Sequence, residues 1–187
     1  KRNGRTTIIS DKKELKGKDI SIPGDISSAA FFMVGALILE GSEIVLKNVG
    51  INPTRRGIID VLMRMGASIE LFNQGEELEP YADVKVRYSQ LKGTVVREEE
   101  VPLLIDEIPI LVIASIFAEG KTIIEGINEL KVKETDRVKS IIENCLKMGV
   151  DVREENNSLI ILGGKKGLSS AEFDSFGDHR IAMAFAV

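Results

Sequence analysis

The chain has 187 residues, a formal net charge of −4, 43% apolar residues and 5 prolines. This composition excludes a disordered or collagen-like protein, and the longest apolar run, near 108–118, is too short to span a bilayer. One cysteine and one histidine exclude a disulfide framework and a Cys/His zinc site, and they favour a reducing compartment, the cytoplasm. An acidic chain without tryptophan is not typical of a nucleic-acid binder.

Predicted helices and strands alternate along the chain. Apolar residues recur with a helical period at 27–39, 56–65, 108–117 and 136–148, and an apolar, helix-like stretch follows at 181–187. Short β-branched runs predict strands at 6–9, 44–46, 69–72, 84–86, 94–96, 123–124 and 159–162. The acidic segment 74–82 predicts an exposed loop, and Asn156 with Asn157 predicts a hairpin turn, because asparagine tolerates positive φ.

Two long segments, approximately 22–96 and 104–162, share one pattern, and a third copy starts near 171. Each reads as a helix, a strand, a second helix that ends in Met-Gly, and a strand. The first helix of each copy is apolar nearly all round, which is typical of a helix buried on most sides. The pattern therefore predicts an α/β fold of repeated units, with buried helices inside, sheets outside and no linker between independent domains.

An acidic residue precedes the first helix of each copy: Asp25, Asp106 and Asp178. Helix capping explains such a residue, because its carboxylate accepts hydrogen bonds from free N–H groups. Asp106 differs because it lies in an apolar stretch, where a charge is costly without partners. We expect Asp106 and Glu107 to divide one capping role and one functional role between them.

The segment ELKVKETDR, residues 129–137, has six charged side chains among its nine residues. It fits an exposed turn in which Thr135 caps the following helix. It also fits an anion site, because alternation puts Lys131 and Lys133 on one side while Glu134 and Arg137 lie three residues apart. Cations clustered at a helix N-terminus bind phosphates and carboxylates, and a carboxylate among them can transfer protons. Both interpretations stay open at this point.

The segment GDHR, residues 177–180, contains the single histidine. A lone histidine is more often structural than catalytic, so His179 is expected to line a site rather than to act in it. Arg180 stands at a helix start, where the helix dipole repels a cation, and this placement is explained if Arg180 faces an anion. Arg55 and Arg56 have a similar placement and are interpreted as solvated. Cys145 lies on the apolar face of its helix and is interpreted as inert packing.

Four motifs together resemble the 5-enolpyruvylshikimate-3-phosphate synthase family. They are PGDISSAAF at 23–31, LIDEIP at 104–109, ELKVKETDR at 129–137 and FGDHRIAMAF at 176–185. The resemblance covers essentially the whole chain, but it matches only the C-terminal part of the family's chain. The motifs are similar in form to those of the family's bacterial branch. It implies an enolpyruvyl-transferase fold of βαβαββ-type repeats, here two copies plus the start of a third. The chain would then be most of one globe of a two-globe enzyme whose other globe is absent.

The resemblance also implies a reaction and residue roles. The family transfers the enolpyruvyl group of phosphoenolpyruvate to the 5-hydroxyl of shikimate 3-phosphate and releases phosphate, with no metal or organic cofactor. By motif, Asp106 would accept the proton of the shikimate hydroxyl and hold that ligand, and Glu134 would give a proton to the methylene carbon and later remove one. The expected substrate-binding residues are Lys133, Arg137, Arg180, Asp106 and His179.

Three alternatives remain. A sister enzyme that moves enolpyruvate onto UDP-N-acetylglucosamine would share the repeats, but it should lack VKETDR and use a reactive loop cysteine. A fragment could bind an anion without turnover, or it could be a repeat scaffold whose charges only make it soluble. The uncapped apolar end at Val187 leads us to expect a fragment that is inactive by itself, whose partner is the missing N-terminal globe.

Overall fold

The computed structural model of the chain describes residues 2–3, 6–7, 17, 19–76, 78–164 and 167–187. The described helices are α1 Ile26–Ile38, α2 Gly57–Arg64, α3 Ile108–Phe117, α4 Arg137–Lys147 and α5 His179–Ala186. The described strands are β1 Arg2–Asn3, β2 Thr6–Thr7, β3 Glu43–Gly50, β4 Ser68–Glu76, β5 Pro80–Arg87, β6 Val95–Val96, β7 Lys121–Glu125, β8 Val152–Glu155 and β9 Ser158–Leu162. The predicted helices are confirmed to within about two residues, whereas the predicted strand at 6–9 lies partly outside the described residues.

The two copies fold in the same way. The first gives an antiparallel sheet in the order β3-β5-β4, and the second gives the order β7-β9-β8. In the second copy β6 lies parallel to β7 across α3, and in the first a parallel bridge joins Gly24 to Val49 across α1. The α/β repeat fold predicted from the sequence is confirmed.

The first helix of each copy forms the interior. Nine of the ten residues of α3 are buried, and α3 packs between α1 and α5. The hydroxyl of Ser115, in the last turn of α3, donates to the carbonyl of Leu111 at 2.8 Å, so this buried polar group is satisfied. The second helices are amphipathic and end as predicted at Met-Gly pairs, where Gly66 and Gly149 have φ of 94° and 76°. Among the described residues, no helix combines the length and the apolarity that a membrane crossing requires.

The loop predicted at 74–82 is wrong. Strand β4 continues to Glu76 and β5 begins at Pro80, so most of this segment belongs to a hairpin. Glu76 and Glu79 are exposed at its end, and the acidic composition therefore marks a solvated hairpin end rather than a loop. Pro80 is tolerated because it is the first residue of its strand. The hairpin predicted at Asn156 and Asn157 is confirmed between β8 and β9, with φ of 49° and 58°.

One carboxylate fastens the bulges of the first sheet. The strands are bulged between Leu46 and Val49 and between Phe72 and Gly75, and Asn48 and Asn73 have positive φ at these places. The Asp83 carboxylate accepts from Lys47 Nζ at 2.7 Å, from Asn48 N at 2.9 Å and from Asn73 Nδ2 at 2.9 Å. These bonds, led by the one from Lys47, lower the pKa of Asp83 to about 2.

We predict that Asp83→Asn destabilises the chain at neutral pH and that its effect fades in acid. The pKa of Asp83, about 2, lies below the ordinary aspartate value of 3.8, so the ionised carboxylate stabilises the fold above pH 3.8. This stabilisation is lost as the pH falls from about 4 to about 2. Urea unfolding of both chains across this range measures the difference. Asp60→Asn, in an exposed pair with Arg56, is the control and should cost little at any pH. A constant difference between wild type and Asp83→Asn would contradict the assignment.

Candidate active site

Asp106 lies where three cations converge. It belongs to the turn that leads into α3, and its side chain is 33% exposed. Its carboxylate oxygens lie 3.8 Å from Lys133 Nζ, 3.3 Å from Arg137 Nη1 and 3.5 Å from Arg180 Nη2. Lys133 and Arg137 come from the end of the ELKVKETDR segment, and Arg180 comes from the first turn of α5. The fold thus gathers residues that are up to 74 positions apart in the chain.

Asp106, Lys133, Arg137 and Arg180 form one charged cluster, and Glu134 joins it through Arg137. Its carboxylate accepts from Arg137 Nη2 at 2.7 Å, and its side chain is 51% exposed. The predicted spacing of three residues therefore does bring this pair together. Asp106 and Glu134 share one guanidinium and both retain solvent-accessible surface, so two acids and several bases are presented on one accessible face. The roles of these residues stay predictions.

Arg137 is the buried centre of the cluster. Its side chain is 0% exposed, and its third nitrogen, Nε, donates to the fully buried Asp178 at 2.8 Å. Burial alone would lower the pKa of Arg137, but the bond and charge of Asp178, helped by Glu134 and Asp106, raise it. In this arrangement each guanidinium nitrogen faces a carboxylate. A substrate anion would reach Arg137 after Asp106 or Glu134 turns away, and direct binding by Arg137 stays a prediction.

Asp178 links Arg137 to α5. It is the N-cap residue of this helix, as predicted, and it accepts from the Arg180 backbone N–H at 2.8 Å. Although burial raises the pKa of Asp178, the hydrogen bonds from Arg137 and from backbone N–H groups lower it below the ordinary range of aspartate. Asp178 thereby fixes the start of α5, where His179 and Arg180 lie. His179 is the first residue of the helix and is exposed; its role stays a prediction.

The capping predicted for Asp106 and Glu107 is wrong. Glu107 occupies the N-cap position of α3, but its side chain caps no backbone N–H. It is buried instead and accepts from the hydroxyl of Ser27 in α1, and Arg180 Nη1 lies 3.9 Å from it. Burial raises the pKa of Glu107 although the bond from Ser27 lowers it. The carboxylate therefore connects the starts of α1, α3 and α5 rather than capping one of them.

Two details of the charged segment differ from the prediction. The N-cap residue of α4 is Asp136, which accepts from Lys139 N at 3.0 Å, and not Thr135. Lys131 does not join Lys133 at the cluster, because residues 127–132 form a 3₁₀ helix that turns Lys131 toward Glu154, 2.6 Å away on β8. Alternation between two sides applies to an extended chain and fails in a helix.

The side chain of Arg55 is 56% exposed, as expected for a solvated residue. It nevertheless contacts the first turn of α1. Its Nη2 donates to Ser27 Oγ at 3.1 Å and lies 3.9 Å from the Asp25 carboxylate. Asp25 caps α1 as predicted, accepting from Ser28 N. No spacing in the sequence pairs Arg55 with Ser27, because the two residues lie on different elements. Arg56 pairs with Asp60 on its own helix.

The helix starts themselves favour anions. The contacts of Ser27 with Glu107 and of Asp106 with Arg180 bring the N-termini of α1, α3 and α5 together. Each helix N-terminus carries partial positive charge from unpaired N–H groups. This charge adds to that of Lys133 and Arg180, while the buried acids keep the local charge balanced. Within the described ranges no group of His, Cys, Asp or Glu side chains is arranged to hold a metal ion.

We predict that Arg137→Met lowers the free energy of unfolding by about 3–5 kcal/mol, because it leaves Asp178 buried without its cation. Arg153→Met, which removes an exposed cation from β8, should cost less than about 0.5 kcal/mol. Urea unfolding at pH 7 compares them. The pKa of Asp178 is lowered, so the loss should shrink as the pH falls below 3.8. Equal losses in the two variants would contradict a central role for Arg137.

The comparisons with known proteins all find one enzyme family. The family model of EPSP synthase (3-phosphoshikimate 1-carboxyvinyltransferase) matches residues 1–187. A 3-phosphoshikimate 1-carboxyvinyltransferase of Geotalea uraniireducens is 52% identical over 94% of the chain and 41% of its own length. One of Brevibacillus brevis is 46% identical over 100% of the chain and 44% of its own length.

The solved EPSP synthase of Acinetobacter baumannii superposes with a TM-score of 0.86 at 43% identity, over 94% of the chain and 41% of that structure. The chain thus spans less than half the length of these relatives. The sister family that acts on a nucleotide sugar is not favoured, and Cys145 is buried with its pKa raised by burial to about 12, unlike a reactive cysteine. With the family model matched throughout and the motif residues gathered at one place, the chain belongs to the EPSP synthase family.

Proposed function

We propose that the chain supplies the phosphoenolpyruvate-binding part of a 3-phosphoshikimate 1-carboxyvinyltransferase. The enzyme would transfer the enolpyruvyl group of phosphoenolpyruvate to the 5-hydroxyl of shikimate 3-phosphate and release phosphate. The observation that carries this proposal is the convergence of Lys133, Arg137 and Arg180 on Asp106, with Glu134 on the same guanidinium. Family membership supports the choice of reaction.

The cations have the task of holding an anion and stabilising its departure. Phosphoenolpyruvate carries a carboxylate and a phosphate, and phosphate is the leaving group. Arg180 offers a planar guanidinium for a bidentate grip, and Lys133 offers a point charge beside it. Fixed positive charge of this kind stabilises charge that builds up on the leaving oxygen. The convergent N-termini of α1, α3 and α5 would add to it.

The two acids have the task of moving protons. As the 5-hydroxyl of shikimate 3-phosphate attacks, Asp106 would take its proton, while Glu134 would protonate the methylene carbon of phosphoenolpyruvate. The adduct would then lose phosphate as Glu134 takes a proton back from the same carbon, and this restores the double bond. A carboxylate near the carbon also stabilises positive charge that develops there. Asp106 and Glu134 both have exposed surface, which supports access to substrate.

The chain would be most of one globe of a two-globe enzyme, with repeats at about 22–96 and 104–162 and a third starting near 171. Its partner would be the N-terminal globe, which would complete the site for shikimate 3-phosphate. The chain's coverage of 41% to 44% of its relatives supports this division. A cytoplasmic location fits a chain with one cysteine, buried and reduced.

We predict that phosphoenolpyruvate binds the purified chain and that Arg180→Ala weakens binding by about 10- to 100-fold, since a charge-assisted hydrogen bond contributes about 1.5–3 kcal/mol. Isothermal titration calorimetry measures the dissociation constant. Lys133→Ala should also weaken binding, whereas Arg153→Ala, on exposed β8, should leave it unchanged. Equal affinity of the Arg180→Ala and Arg153→Ala variants would contradict the anion site.

We predict that the chain alone, given both substrates, releases no phosphate above background. Mixed with the N-terminal part of the Geotalea uraniireducens relative, it should release phosphate, measured by a coupled colorimetric assay. Glu134→Gln should reduce the rate by about 10²- to 10⁴-fold, the usual contribution of a general acid–base group. Glu99→Gln, on the exposed turn before α3, is the matched control. Equal rates for the two variants, or release by the chain alone, would contradict the proposal.

A further inference from the structure

Asn144 is a buried amide that pairs with the backbone of a distant residue. It lies in α4 and is 0% exposed. Its Nδ2 donates to the Asp174 carbonyl at 2.8 Å, and its Oδ1 accepts from the Asp174 N–H at 3.1 Å. The side chain thus satisfies both polar backbone groups of one residue, as a neighbouring strand would. Residue 174 lies in a stretch without regular structure, whose backbone groups need partners from elsewhere.

The same face of α4 holds the other end of this loop. Arg137 lies seven residues before Asn144, two helical turns or about 10 Å along the axis. Asn144 pairs with Asp174, and Arg137 pairs with Asp178. The segment 174–178, which we call the pinned loop, is therefore fastened at both ends to one rigid helix. Lys147, one turn beyond Asn144, adds a bond from its Nζ to the Glu172 carbonyl at 3.1 Å.

The pinned loop has a conformation that requires support. Phe176 has φ of 52° and Gly177 has φ of 76°, and a bulky residue seldom adopts positive φ. Three bonds inside the loop keep its shape: Phe176 N donates to Asp174 Oδ1 at 2.7 Å, Gly177 N donates to Ser175 Oγ at 3.3 Å, and Asp178 N donates to the Ser175 carbonyl at 2.9 Å. The acceptors of these bonds belong to Asp174 and its neighbour Ser175, so the shape of the loop depends on where Asp174 is held. The loop ends at Asp178, and Arg180 follows two residues later.

We propose that Asn144 is a positioning residue: through the pinned loop it sets the place of Asp178 and Arg180, and hence the affinity of the site for its anionic substrate. The second part rests on the proposed function. Both hydrogen bonds of the Asn144 side chain go to the backbone of Asp174, so its effect passes through backbone and not through charge. An apolar replacement leaves the Asp174 N–H and carbonyl without their buried partner, and aspartate keeps the acceptor but not the donor.

Native-state amide hydrogen exchange, measured by NMR on the full 187-residue chain, tests the first part. In Asn144→Ala, the amides of Phe176, Asp178 and Arg180 should exchange at least about tenfold faster, and Asn144→Asp, which loses the donor, should also speed their exchange. The control is Ile141→Val, which shortens a buried apolar side chain on the same helix and removes no hydrogen bond. It should leave these three amides unchanged. Equal exchange in Asn144→Ala and Ile141→Val overturns the proposal. Should Asn144→Ala not fold, Asn144→Asp is compared with Ile141→Val in the same way.

Titration with phosphoenolpyruvate tests the second part. Asn144→Ala should weaken binding severalfold relative to Ile141→Val, and it should have no further effect in an Arg180→Ala background, because it acts through Arg180. Faster amide exchange with unchanged affinity for phosphoenolpyruvate overturns the positioning role. An equally large loss of affinity from Asn144→Ala in the Arg180→Ala background overturns it as well. If wild type binds no phosphoenolpyruvate, the proposed function fails for this chain, and exchange at the Arg180 amide alone decides whether Asn144 positions that residue.

Discussion

The buried charge of Arg137 is the constraint on which the candidate site depends. A guanidinium without exposed surface is costly unless carboxylates surround it, and Asp106, Glu134 and Asp178 do so from three different segments. The three carboxylates are thereby brought together around one guanidinium. Because Asp178 also starts α5, the same charge determines where Arg180 stands. Removing a partner from this set leaves a buried charge uncompensated, so the fold and the site are stabilised together.

The repeated fold explains why these segments meet. In each copy the first helix is buried and its sheet lies outside, so the starts of α1, α3 and α5 come together at one end of the interior. The loops that precede these helices then converge, and with them the residues that the loops carry. Ser27 and Glu107 show that the contact continues into the interior as a buried hydrogen bond. The candidate site thus lies at an end of the interior where helix dipoles favour anions.

The sequence predicts the helices and site residues that depend on local pattern. Helical period placed α1 to α4 correctly, and the motifs pointed to Asp106, Glu134 and Arg180, which the fold brings together. Contacts between distant elements leave no such period. Asn144 is a polar residue on the buried side of α4, as are Arg137 and Ser140, and neither its pairing with residue 174 nor the burial of Arg137 could be predicted without knowing what packs on α4. The bulged hairpin of β4 and β5 was not predicted because its exposed end is rich in acidic residues, which are also typical of loops.

The central claim is that Arg180, Lys133, Asp106 and Glu134 form one anion-receiving face. A crystal structure of the chain with phosphoenolpyruvate tests it most directly. The account predicts the ligand within hydrogen-bond distance of the Arg180 guanidinium and the Lys133 ammonium, with its methylene carbon toward Glu134. A ligand bound elsewhere, or an Arg180 guanidinium turned away from Asp106 and Glu134, would contradict it.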